Sequence, residues 1–374
     1  MKRAIVAKLL MLASLALVLI ATVSLYKNYA QRDVISTRDN EQEITLLRDV
    51  KTEQFESVSS GSSVIIPQDF APHQQYQHGW WHFFANVKDK QGKRYGIQWS
   101  YFRIANDDQE HTGWQNSQLY ISHIVVSNDT NVWKEQRLAR GGIGQAGIES
   151  APFKVWIDNW SWNSLGRTPF PGELLVATDK VQLQLDSIAS GPFVLPGEKG
   201  YVARSEGTAL ASHNLTVPFV DVSGELSLDG GEPFSVDGKA WMSKEWGSGL
   251  QTDNQQGWDW FVFHLDHETT LSIHRYRYDD DKKHIVGTLS TRSGKVISLK
   301  EYEISVVPLQ STLLAGQKSL PLSWVINIPT QQISLTTQVL NTNMWLPFIL
   351  PYWEGPISTT GSHTAFGFMQ LVGY

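Results

Sequence analysis

The sequence predicts an all-β protein of two antiparallel, strand-rich halves, behind an N-terminal signal or anchor helix. Three observations predict it. Period-two apolar alternation recurs from about Ile65 to the C-terminus. Turn residues return at short intervals, and long amphipathic helices are missing. The aromatic palette of 15 Trp, 15 Phe and 12 Tyr suits half-buried strands.

The 374 residues leave room for two domains. With 41% hydrophobic and 18% charged residues the chain is globular, not disordered. A net charge of −6, with no basic stripe, argues against nucleic acid as a partner. No cysteine is present, which excludes disulfides, thiolate chemistry and Cys-ligated zinc.

At the N-terminus, Lys2, Arg3 and Lys8 flank the run "LLMLASLALVLIATV" (9–23). This is a positive region followed by an apolar one of signal-peptide length. The stretch from Ala4 to Tyr26 also reaches the span of a bilayer. Residues 1–30 are therefore expected to be a cleaved signal or an uncleaved membrane anchor. Either way the rest lies outside the cytoplasm, in the periplasm or on the outer face of the membrane. Residues 31–64 are polar, end in Ser/Gly and read as a tether.

From there strands follow one another. "RYGIQWSYFRI" (94–104), "QLYISHIVVSND" (118–129) and "VQLQLDSI" (181–188) alternate or are β-branched. "WFVFHLDHETTLSIHRYRY" (260–278) reads as a hairpin turning near Asp266 to Thr269. "ASHNLTVPFV" (210–220 region) separates two strand-rich halves, giving expected domains of 65–215 and 216–374.

Two stretches carry candidate chemistry. "GKAWMSKEWGSG" (238–249) sets Glu245 beside Trp241 and Trp246, and "GWDWFVFHL" (257–265) sets Asp259 between Trp258 and Trp260. They read as adjacent strands of the second domain. Period-two counting puts Asp259 with Phe261 and Phe263, opposite Trp258 and Trp260. A carboxyl desolvated on such a face is pushed toward its protonated form. Between indoles it could protonate an alkene or steady a cation. Equally, Glu245 and Asp259 could brace the fold through hydrogen bonds. "QHGWWHFFANV" (77–87) adds Trp80 and Trp81, with His78 and His82 too isolated from further ligands to argue for a metal. "RGGIGQAGI" lacks the nucleotide-binding fingerprint, and no GxSxG elbow is present.

In order along the chain, "QHGWWHFFANV", "SHIVVSNDTNVWKEQRLARGG", "VWIDNWSW", "FVLPGEKGYVARSEG", "VDGKAWMSKEWGSG", "GWDWFVFHLD", "YWEGPI" and "GFMQLVGY" resemble the AttH-like family. This lipocalin-like group includes bacterial carotenoid 1,2-hydratases and predicted secreted hydrolases. The resemblance implies two lipocalin-like antiparallel β-barrel domains packed side by side, with functional residues at or between them. It implies cofactor-free acid–base chemistry on a hydrophobic polyene, terpenoid or lipid. The alternative is a non-catalytic carrier of a lipophilic molecule, and some members are linked to ABC transporters. Relatives usually read Trp-Met-Asp-(His/Arg)-Glu-Trp-Gly where this chain has Ser243 and Lys244. Glu245, Trp246, Asp259, Trp353 and Glu354 match. The expected catalytic pair is Glu245 and Asp259; the expected ligand-binding residues are Trp241, Trp246, Trp258, Trp260, Trp80, Trp81, Trp353 and Glu354, with no metal.

Overall fold

The computed structural model describes residues 54–108, 111–205, 210–249, 254–314 and 318–374. Its strands are β1 (His78–Asp89), β2 (Arg94–Ala105), β3 (Gln118–Ser127), β4 (Val132–Arg140), β5 (Ala146–Ser150) and β6 (Phe153–Ile157). Then come β7 (Trp160–Ser164), β8 (Gly172–Ala177), β9 (Val181–Ala189), β10 (Tyr201–Ala203), β11 (Ala211–Leu228) and β12 (Phe234–Gly247). The second set is β13 (Gln255–His264), β14 (Thr269–Tyr278), β15 (Lys283–Thr291), β16 (Val296–Leu299) and β17 (Ser305–Leu313). It closes with β18 (Ser319–Ile328), β19 (Ile333–Val339), β20 (Trp345–Leu346), β21 (Tyr352–Gly361) and β22 (Phe366–Val372).

The first 12 strands form one antiparallel sheet ordered β4-β3-β2-β1-β12-β11-β9-β8-β7-β6-β5, with β10 on β11. The other 10 form a second, ordered β16-β15-β14-β13-β22-β21-β19-β18-β17, with β20 on β21. Each sheet curls without closing its backbone ladder. In the first, side chains draw the edges together. Tyr101 on β2 donates to the Trp156 carbonyl on β6 at 2.8 Å, and Arg137 on β4 donates to the Ala177 carbonyl on β8 at 3.2 Å.

The all-β expectation holds, but two parts of it are corrected. The helix expected over Ala4–Tyr26 lies outside the described residues. Among those described, no helix is long and apolar enough to cross a membrane, and the helical pieces are three-residue 3₁₀ turns such as Gln68–Phe70. The described fold therefore has no leading helix, and the transmembrane and membrane-partner expectations are withdrawn. The described end of the polar stretch packs on the body, burying Phe55, Val58 and Val64.

The sheets also divide later than residues 215/216. β11 and β12 belong to the first sheet, so the division falls between Gly247 and Gln255. The stretch "ASHNLTVPFV" does not break the chain at Pro218. Instead β11 runs through it, and the β11–β12 register shifts between Val217 and Val220, a bulge that absorbs the residue unable to donate to the ladder. "GKAWMSKEWGSG" is consequently not paired with "GWDWFVFHL". β12 lies between β1 and β11, while β13 lies between β14 and β22.

Alternation sends one row of each strand into its own sheet's core and the other outward. Trp81, Trp99, Trp160 and Trp162 fill the first core; Phe261, Phe263, Trp324 and Trp353 fill the second. The outward rows of β1, β12, β13 and β22 meet each other. There Phe84, Trp241, Trp260, Val262 and Phe368 make a third apolar cluster joining the sheets. Its Phe84–Phe368 rings stack at 4.9 Å.

Candidate functional site

Next to that cluster the facing sheets leave a cavity of about 40 Å³, room for a few waters. Its walls follow from strand register. On β1 and β12, Trp80 lies opposite Glu245 and His82 opposite Ser243, all four on the outward row. β13 contributes Trp258 and Trp260, and β14 contributes Ser272, His274 and Tyr276. Arg204, just after β10, completes the wall.

Three indoles make the apolar part. Trp80 and Trp258 stack across the gap between sheets at 5.9 Å, and Trp260 stacks on His274 at 4.9 Å. Glu245 is the one carboxyl group among the lining residues. It forms an ion pair with Arg204, which is 3% exposed. Arg204 also meets His78 Nε2 at 3.3 Å and lies over the Trp80 ring at 5.8 Å. Burial lowers His82 to about 4 and His274 to about 3, so both imidazoles are neutral near pH 7. Burial and the nearby Glu245 raise the Tyr276 hydroxyl. The cavity thus combines apolar ring faces with a charge pair, two neutral bases and a phenol.

Of the expected residues, Glu245, Trp80, Trp258 and Trp260 converge here. Trp241 sits in the adjoining cluster, donating to Ser243 Oγ at 2.7 Å. Ser243 does line the cavity. Trp81 and Trp246 point the other way, into the first core, where the Lys244 ammonium lies 4.9 and 4.6 Å from their ring centres. Trp353 is core in the second sheet and donates to the Thr342 carbonyl at 3.1 Å. Glu354 is fully buried between the sheets. It accepts from Gln98 at 3.1 Å and from Gln370 at 2.6 Å, and Gln370 accepts from Trp258 Nε1 at 2.8 Å.

Asp259 stands apart from the cavity, on the inward row that counting gave it. Arg275 Nη1 donates to it at 2.7 Å, Tyr374 Oη donates at 2.7 Å, and Arg277 Nε lies 3.5 Å away. Burial pushes its carboxyl up, opposed by Arg277 and Arg275. Both oxygens are engaged, so its contacts are those of a brace that fixes the C-terminal residue. Asp259→Asn should cost about 3–5 kcal/mol in urea unfolding, because it strands two partly buried guanidinium groups. Unchanged stability would refute the bracing role.

Arg204, His274, Tyr276 and Gln370 were not singled out from the sequence. His274 and Tyr276 were accessible to it: in "LSIHRYRY" they alternate with Ile273 and Arg275, and their row is the one opposite the core. Arg204 had no such signal, since it follows a three-residue strand. Among the described residues no group of His, Asp and Glu is placed to hold a metal ion.

Two curled antiparallel sheets, each packed on the other, define an architecture found in other solved proteins. The chain belongs to the AttH-like family, whose model matches residues 57–374. An AttH candidate from Nitrosomonas europaea superposes with a TM-score of 0.78 at 26% identity, covering 86% of this chain and 99% of that one. Kievitone hydratase from Nectria haematococca shares the fold with a TM-score of 0.62 at 15% identity, over 86% of this chain and 96% of that one. No protein of curated function matches the chain by sequence.

Proposed function

We propose that the protein adds water to a hydrophobic, unsaturated substrate by cofactor-free acid–base chemistry, and that the inter-sheet cavity is where it does so. The observation that carries this reading is the pairing of one carboxyl group, Glu245, with three indole faces and two neutral imidazoles around one space. In the proposed step Glu245 enters as the neutral acid and gives its proton to one carbon of a double bond, and the ion pair with Arg204 is the state that follows this transfer. The π bond breaks, a C–H bond forms, and positive charge develops on the neighbouring carbon. Trp80, Trp258 and Trp260 present ring faces that attract such a charge. Arg204 stabilises the carboxylate left behind. Water then forms the C–O bond, and its surplus proton passes to a neutral imidazole before returning to Glu245.

The fold likeness to a hydratase suits this reading. So does Ser243, which leaves Glu245 as the carboxyl of its strand that faces the cavity. A cavity of about 40 Å³ has to widen to take a substrate of any length, and Trp80 and Trp258, one from each sheet, are the walls that would part. Placement outside the cytoplasm, expected from the basic and apolar N-terminus, belongs to the same proposal.

The test compares wild type with Glu245→Gln, which keeps an acceptor for Arg204. Solvent extraction and mass spectrometry of the two purified proteins should find an unsaturated lipid on the variant and its hydrated product with wild type. Turnover of that lipid should fall about 10²–10⁴-fold in the variant. The same unmodified lipid on both proteins would overturn catalysis and leave a carrier.

A further inference from the structure

Most polar groups in the cavity wall already have partners. Ser243 accepts from Trp241 Nε1 at 2.7 Å, Ser272 from Trp260 Nε1 at 3.1 Å, and Gln370 from Trp258 Nε1 at 2.8 Å. Glu245 is paired with Arg204, and the His82 Nδ1 meets Ser100 Oγ at 3.1 Å. The β14 wall differs. Among the described residues, neither the Tyr276 hydroxyl nor either ring nitrogen of His274 has a hydrogen-bond partner, although Tyr276 is only 4% exposed. The two side chains share one row of β14, and parallel rings hold them in place. Trp260 stacks on His274 at 4.9 Å, and His274 on Tyr276 at 5.9 Å. Packing thus fixes the phenol ring and leaves its O–H free.

We propose that Tyr276 is a specificity-determining residue whose O–H binds a hydroxyl or carbonyl oxygen carried by the substrate, so that the site takes oxygenated unsaturated compounds in preference to hydrocarbons. The reason is what each occupant leaves behind. Water in the cavity can serve Tyr276 and His274. A hydrocarbon that displaces this water strands a phenol and an imidazole among ring faces, and each stranded group costs a factor of about 10 to 100 in affinity. A substrate oxygen replaces the lost water at Tyr276, while the faces of Trp80, Trp258 and Trp260 take the apolar remainder. Burial raises the Tyr276 hydroxyl, so near pH 7 it offers a proton and carries no charge.

The part this plays in turnover rests on reading the cavity as an active site; the preference itself does not, and is measured without reaction. trans-But-2-en-1-ol and trans-pent-2-ene, which differ by a hydroxyl for a methyl group, are titrated into ¹⁵N-labelled protein in sealed tubes. The indole N–H signal of Trp260, assigned through Trp260→Phe, reports binding. Hydrophobicity alone would make the alkene the tighter ligand, so the opposite order has to come from a hydrogen bond. Wild type should bind the alcohol about tenfold more tightly, and Tyr276→Phe, which removes only the unpartnered hydroxyl, should reverse the order. Tyr276→Leu makes the same comparison should the first variant not fold. An alcohol bound no more tightly than the alkene by wild type, or an alcohol preference that survives in a folded variant, would overturn the proposal. With the preference as expected but turnover insensitive to Glu245→Gln, the catalytic reading of the site fails and the recognition role of Tyr276 stands.

Discussion

Arg204→Met is expected to destabilise the protein by about 3 kcal/mol, and Glu245→Gln in the same chain is expected to restore most of it. Arg204 is 3% exposed and Glu245 14%, so neither charge is well solvated when its partner is removed. Little else near Arg204 can substitute. His78, whose ring nitrogen meets it, is kept neutral by burial and by Arg204 itself, and the Trp80 ring offers only a quadrupole. Methionine has similar reach and no charge, so the single variant isolates the uncompensated carboxylate. The double-mutant cycle should therefore give a coupling of about 2 kcal/mol, measured by denaturant unfolding at low salt. A coupling near zero would mean that cavity water already screens the pair, and would weaken its part in stabilising the Glu245 carboxylate during proton transfer.

The same pair shows where sequence reading succeeds and where it stops. Strand alternation is local, and it correctly separates Trp258 and Trp260 from Asp259. It cannot tell which of the two rows will meet another sheet. Asp259 leads an apolar row and so looked like the buried acid of a pocket, yet that row faces a core whose polar edge already holds Arg275, Arg277 and Tyr374. Trp81 and Trp246 are adjacent in sequence to the site residues Trp80 and Glu245, and that adjacency is what puts them on the opposite face. Pairing across the chain is the other gap. β12 meets β1, some 160 residues earlier, and nothing local to "WMSKEWG" distinguishes that partner from the nearby β13. Motif matching was informative because it is indifferent to these questions. It found the strands that form the interface, and only their packing could say which of their side chains share a space.

Glu354 yields the second large effect, and its sign can be worked out. Burial raises its carboxyl to about 8, against an ordinary value of 4.5, and the bonds from Gln370 and Gln98 only partly oppose this. Between those pH values the unfolded chain has released the proton while the folded one keeps it. Unfolding therefore releases a proton, and this group's contribution to stability falls by about 1.4 kcal/mol for each pH unit climbed. It is fully present below about 4.5 and lost by about 8. The buried histidines act in the opposite sense: His82, His274 and His123, lowered to between about 3 and about 4, make stability fall as pH drops below 6.5. The difference between wild type and Glu354→Gln removes that background. It should widen in favour of the variant from pH 5 to pH 8, reaching several kcal/mol, and the window above 6.5 should show it in the raw melting temperatures. Glutamine fits the site because Gln98 Oε1 is buried without a partner. With that amide turned over, Gln98 accepts an N–H from residue 354 just as it would accept the O–H of the neutral acid. A difference that stays flat with pH would mean that Glu354 is ionised in the fold. The consequence reaches the cavity, because Glu354 holds Gln370 and Gln370 holds the indole of Trp258. Above pH 8 wild type carries an unsolvated charge behind that wall and loses interface stability, so turnover there should fall in wild type and persist in Glu354→Gln.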